Sequence, residues 1–186
     1  MAFEFKIQLV GINKPPVYRK LKVPENMTFE KFHESIQICF DWYNCHLYSF
    51  SERGYGSDFQ IEIPGGMSQE NSLNAGKVKL KEIFNHEKQT FIYIYDFGDD
   101  WTHTIILEKI TTEKISRPSC TGGKGKCPPE DCGGIDGYRW FLKVIKNPND
   151  SEYEEMREWA CLEKGEEWDV QEFDMDEVNE ILLDEF

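Results

Sequence analysis

Residues 1–41, MAFEFKIQLVGINKPPVYRKLKVPENMTFEKFHESIQICFD, decide the fold. Phe3, Phe5, Ile7 and Leu9 alternate with Ala2, Glu4, Lys6 and Gln8, the period of a strand with one buried face. Gly11 and the pair Pro15-Pro16 then turn the chain, and Val17 to Val23 alternates again as the second arm of a hairpin. Thr28 offers a helix cap, and Phe29, Phe32, His33, Ile36 and Phe40 recur at helical spacing to about Asp41. The start is therefore ββα, resembling a β-grasp.

Further along, His46 to Ser51 and Phe59 to Ile63 read as strands around the Gly54, Gly56 turn, Pro64 to Lys77 as a polar loop, and Leu80 to Phe84 as a helical turn. Thr90 to Tyr95 and Trp101 to Ile110 form the strongest strand pair, closed across Asp96-Phe97-Gly98-Asp99-Asp100. Ser116 to Gly137, rich in Gly, Pro and Cys, reads as a long irregular loop. Three helices should follow: Tyr138 to Lys146, Ser151 to Lys164 with Ser151 and Glu154 as a capping box, and Asp174 to Asp184. The expectation is an α+β protein with a mixed or antiparallel sheet. Its α+β body, residues 1–146, includes hairpin 90–110 and loop 116–137; an acidic helical region, 147–186, packs on that body within a single domain.

Hydrophobic residues at 39% and aromatics at 14% favour a folded core over disorder, and a mean hydropathy of -0.60 with 30% charge gives a well-solvated exterior. The net charge of -14 is uneven: residues 1–146 hold 19 acids and 19 bases, residues 147–186 hold 16 acids against Arg157 and Lys164. Such a tail repels a phosphate backbone, so nucleic acid is a disfavoured partner and a protein partner the better expectation. No apolar run is long enough to span a membrane, the N-terminus lacks the apolar run of a signal peptide, and a cytoplasmic location with reduced thiols follows. Cys39 and Cys161 read as small core residues in helices.

Chemistry concentrates in two stretches. The turn carries Asp96, Asp99, Asp100, Trp101 and His103; the loop carries Cys120 and then Cys127-Pro128-Pro129-Glu130-Asp131-Cys132-Gly133-Gly134. Strand alternation places Trp101, His103, Ile105 and Leu107 on one apolar face, where an imidazole needs a partner. Cys120, Cys127, Cys132 and His103 could close a tetrahedral zinc site, although no C-x-x-C knuckle is present; zinc is thus a candidate cofactor that the residues do not require. Alternatively the thiols are buried and His103 is a hydrogen-bonded core histidine. Asp96, Asp99, Asp100, His103, Glu130 and Asp131 could also act as an acid/base or hard-cation cluster, or simply shape turns. His33 and His46 read as packing residues. Tyr43, Tyr48, Tyr55, Tyr93 and Tyr95 could stack bases, but lack matching basic clusters.

With Pro15-Pro16-Val17-Tyr18-Arg19, His33, His46-Leu47, Gly137-Tyr138, Phe173-Asp174 and Val178-Asn179 added, these motifs resemble the plasmid pRiA4b ORF-3-like family over nearly the whole chain. The resemblance implies no defined reaction. Labels on some members point to mobile elements and a resolvase. A serine resolvase needs an early nucleophilic serine among arginines, whereas the first serine here is Ser35, inside an amphipathic helix, and no basic DNA-reading helix is present. Three functions stay open: a non-enzymatic binding module built on the 95–103 hairpin and the 120–134 loop, a zinc- or magnesium-assisted hydrolase using His103 and nearby carboxylates, and a nucleic-acid accessory protein.

Overall fold

A computed structural model describes residues 1–64 and 71–186, so part of the expected 64–77 loop lies outside the described residues. Strands β1 (Ala2–Asn13) and β2 (Pro16–Pro24) pair antiparallel as a hairpin, and helix α1 (Phe29–Phe40) follows. Thr28 accepts a hydrogen bond from the Lys31 amide at 3.3 Å, and Asp41 ends the helix in a left-handed conformation. The ββα start follows the sequence pattern because both periods agree with burial: Phe3, Phe5, Ile7 and Leu9 are buried, as are Phe29, Phe32, Ile36 and Phe40. Ring contacts hold α1 to the sheet, with Phe5 and Phe32 at 4.9 Å and Phe29 and Phe50 at 5.1 Å.

The remaining strands are β3 (Tyr48–Ser51), β4 (Ile61–Glu62), β5 (Leu73–Asn74), β6 (Thr90–Tyr95), β7 (Trp101–Thr111) and β8 (Ser119–Lys124). Together with β1 and β2 they build, among the described residues, an eight-stranded sheet in the order β5-β4-β3-β6-β7-β1-β2-β8, antiparallel except for the parallel pair β4 and β5. The protein is thus α+β, and among the described residues α1 is joined by four further α-helices, α2 (Leu80–Ile83) and the C-terminal α3 (Gly134–Val144), α4 (Tyr153–Trp159) and α5 (Met175–Glu185). Among the described residues no helix is long and apolar enough to cross a membrane.

Three local expectations are corrected. Ser119–Lys124 is a strand, not part of an irregular loop, because its backbone extends the free edge of β2 from Tyr18↔Lys124 to Lys22↔Ser119. A side chain at Gly123 would come within 2.6 Å of the Phe173 ring, so its glycines fit a crowded edge rather than a flexible tether. Helix α4 starts at Tyr153, with no side-chain cap: Asp150 accepts the Glu152 amide at 3.2 Å, so a turn after Pro148 replaces the Ser151 capping box. Cys161 is exposed just beyond α4 in a left-handed conformation, so the helix stops before it can enter a core.

Candidate functional site

The β6–β7 turn is shaped by aspartates. Asp96 (φ 54°) and Asp100 (φ 55°) both take left-handed conformations that Asp tolerates, the Asp100 amide donates to the Asp96 carbonyl at 2.7 Å, and the Asp96 carboxylate accepts the Gly98 amide at 2.9 Å. The side chains that remain face outward to different partners. Asp100 accepts from the Tyr55 hydroxyl at 2.9 Å, and Asp99 accepts the Gly133 amide of the cysteine-containing loop at 3.0 Å.

That loop is also clamped to the end of β6 and to the segment that follows α1. Glu130 accepts the Tyr43 amide at 2.6 Å and the Tyr95 hydroxyl, while Trp42 donates to the Pro128 carbonyl at 3.0 Å. Gly134, with φ at 66°, runs so close to the turn that a side chain there would sit 2.4 Å from the Asp99 carbonyl oxygen. The hairpin and the loop therefore form one polar corner. His46 completes it: Nε2 lies 2.9 Å from Asp131, without hydrogen-bond alignment, and Nδ1 lies 3.8 Å from Asp96. One ligand atom from each of His46, Asp96 and Asp131 falls within 4.8 Å of the others, a spacing that can hold a cation. Among the described residues, no Lys or Arg pairs with any carboxylate of this corner.

His103 is elsewhere. It is fully buried against the rings of Phe40, Trp42 and Tyr93, at 4.8, 5.4 and 5.1 Å. Burial lowers its pKa to about 3, against slight support for the charged form from the backbone at Trp101 and Tyr93. Neither ring nitrogen meets a well-aligned partner, so His103 is a core histidine whose polar support is limited to the backbone at Trp101 and Tyr93. Trp101 is likewise sealed.

The expected zinc ligands are not brought together either: among the described residues, the His46, Asp96 and Asp131 trio is the one group of ligand atoms that converges. Cys39 and Cys120 are free thiols; a hydrogen bond donated by Cys39 lowers the Cys120 pKa to about 7, while Cys39 is driven up by burial. Cys127 accepts from Arg19 at 3.1 Å but is raised to about 11 by burial, and Cys132, near Asp99, is raised to about 12 by the same cause. The tyrosines weighed for base stacking divide, with Tyr48, Tyr93 and Tyr95 buried and Tyr43 and Tyr55 exposed.

The loop also walls a cleft of ≈ 530 Å³, which Pro128, Pro129, Glu130 and Asp131 share with the end of α1 and the C-terminal segments. At its base lies Arg19, buried in β2. Its guanidinium donates to the carbonyls of Cys39, Tyr18 and Lys124 and to the Cys127 sulfur, and it stacks 4.0 Å from the Phe173 ring centroid. Sequence reasoning passed over Arg19 as an element of the cleft and read His46 only as packing. The β2 alternation already places Arg19 inward with Val17 and Leu21, a signal that could have marked it.

These features define an α+β protein in which a hairpin turn and a proline-braced loop make one corner beside a cleft. The chain belongs to the plasmid pRiA4b ORF-3-like protein family, whose model matches residues 1–177. It is similar to the uncharacterized protein y4hQ of Sinorhizobium fredii, 32% identical over 149 residues that cover 79% of this chain and 75% of that protein. The crystal structure of the protein of unknown function MM3350 from Methanosarcina mazei Go1 is similar at 34% identity and a TM-score of 0.78, covering 94% of this chain and 96% of that one.

Proposed function

We propose that the chain is a non-enzymatic binding and interaction module. Its recognition surface is the polar corner where the 95–103 hairpin meets the 120–134 segment, β8 from Cys120 onward and the loop after it, continued into the cleft. One observation carries this reading: residues 128–131 are at once the wall of the cleft and the segment tied to the hairpin through Glu130. A recognition surface needs such a preorganised wall beside an open concavity. His103, the imidazole a hydrolase would have used, lies out of reach of any substrate. The test is a panel of chromogenic esters and phosphate esters with Mg²⁺, Mn²⁺ or Zn²⁺ added. No turnover above the metal-only blank is expected; turnover that disappears in His46→Ala would replace the binding reading with an enzymatic one.

A second reading is favoured by the convergence of His46, Asp96 and Asp131. One imidazole and two carboxylates suit Zn²⁺ or Mn²⁺ better than Ca²⁺, and such an ion would supply Lewis-acid chemistry at the corner. The carboxylates Asp99 and Glu130, already engaged by Gly133, Tyr43 and Tyr95, would hold the ligand-bearing segments in place. Titration calorimetry with Zn²⁺ and Mn²⁺ separates the two readings: stoichiometric heat lost in His46→Ala supports a metal centre, and no heat leaves the corner a purely protein-built surface.

A further inference from the structure

The cleft shows more than a concavity, because its walls differ sharply in chemistry. Ile38, Phe173, Val178 and Ile181 line it, with Trp159 and Trp168 also on its surface. Trp159 remains 41% exposed and Ile181 43% exposed, large apolar surfaces gathered in one hollow rather than scattered. Apolar area of this kind is stabilised when it is covered and removed from water.

The charged groups around the hollow are one-sided in what they can still offer. Both cations are already engaged: Arg19 by three carbonyls and Cys127, and Lys126 by Glu172 and the face of Trp168, 4.4 Å away. The acids are freer. Among the described residues the Asp41 carboxylate makes no hydrogen bond or close ion pair; it feels Lys126 and Arg19 only at longer range, and partial desolvation at this exposed position raises its pKa. Glu177 uses its backbone amide for the α5 cap and lines the cleft, and Asp131, with His46 2.9 Å away as its one close neighbour of opposite type among the described residues, is 67% exposed along its side chain. Around them lies the 147–186 segment with 16 acids and two bases, whose field attracts cations and repels anions, including a second copy of this acidic chain.

On the reading that the cleft is the recognition surface, we infer that it docks a basic segment of a partner protein. One or two large apolar side chains of that segment enter between Trp159 and Ile181, and flanking Lys or Arg residues meet Asp41, Asp131 and Glu177. Burying the apolar anchors supplies affinity, while the charges select the partner and speed its arrival.

Three fluorescent peptides of equal length test this by anisotropy: one with a Leu/Phe pair among lysines and arginines, one with the same pair among glutamates, and one with the same bases but serines for the pair. The first should bind the native chain best and weaken as salt rises. Ile181→Glu should weaken it about tenfold or more. The double charge reversal Asp41→Lys with Glu177→Lys should turn the preference toward the glutamate peptide. All three positions are exposed, so the variants should fold, which circular dichroism checks. Equal binding of the basic and acidic apolar peptides, lost in Ile181→Glu, would overturn the basic partner and keep the cleft. Binding that survives Ile181→Glu would overturn the cleft as the recognition surface, and the absence of binding by any of the three would overturn the inference.

Discussion

His103 and His46 both lie beside β6, yet one is sealed under aromatic rings and the other stands between two carboxylates at the surface. The strand pattern that carries His103 also carries Trp101, Ile105 and Leu107 inward, so period-two alternation buries the imidazole along with its neighbours. His46 precedes β3, where no pleat dictates its direction, and the loop comes to it. In this molecule the regular elements supply packing, and the polar chemistry gathers where a turn and a loop meet at their ends.

The contrast can be broken most forcefully by cutting an aromatic ring from each region. Trp101→Ala should cost about 3–5 kcal/mol in urea denaturation, as for other fully buried aromatics, whereas Trp159→Ala at the cleft should cost under about 1 kcal/mol. Equal costs would mean that the two regions are not differently packed.

Acid should strain the sealed region next. His103 at about 3 and His33 at about 4 are both held below the unfolded value of 6.5, His33 by burial that outweighs its bond to Asn44. The unfolded chain therefore binds more protons below pH 6.5. Their contribution is fully present above that pH and is lost as pH falls toward 4 and then 3. At pH 5.5 each should have given up roughly 1.4 kcal/mol, about 3 kcal/mol together. Unfolding free energies at pH 7 and 5.5 measure this, and the loss should shrink by about half in His103→Leu.

The same variant gives the smallest and sharpest contrast. Because both His103 nitrogens lack aligned partners, Leu should leave stability at pH 7 within about 1 kcal/mol of the native chain, on either side. Peptide binding to His103→Leu should be unchanged; a large loss would give His103 a part in recognition that its burial argues against.

Much of the fold is written in periodicity. The β1, β2, α1, β6 and β7 patterns state both the element and its buried face. β8 is not legible in this way, since Ser-Cys-Thr-Gly-Gly-Lys has no alternation and becomes a strand only because β2 offers an open edge, with Asn179 of α5 bonding the Cys120 amide and carbonyl at 2.8 and 2.9 Å. Of the site, the turn and loop motifs were readable as dense polar chemistry. Their meeting through Tyr95–Glu130 and Asp99–Gly133 spans 35 and 34 residues of sequence, and no local pattern encodes a contact at that separation. His46 had still less signal: a single histidine before a short strand gains meaning only when Asp96 and Asp131 converge on it.

The most direct measurement of whether hairpin and loop act as one unit is a double-mutant cycle on Tyr95→Phe and Glu130→Gln, read by chemical denaturation. A hydroxyl donating to a carboxylate should give a coupling energy of about 1 kcal/mol or more. Effects that simply add, to within about 0.3–0.5 kcal/mol, would contradict the joined corner on which the recognition surface depends.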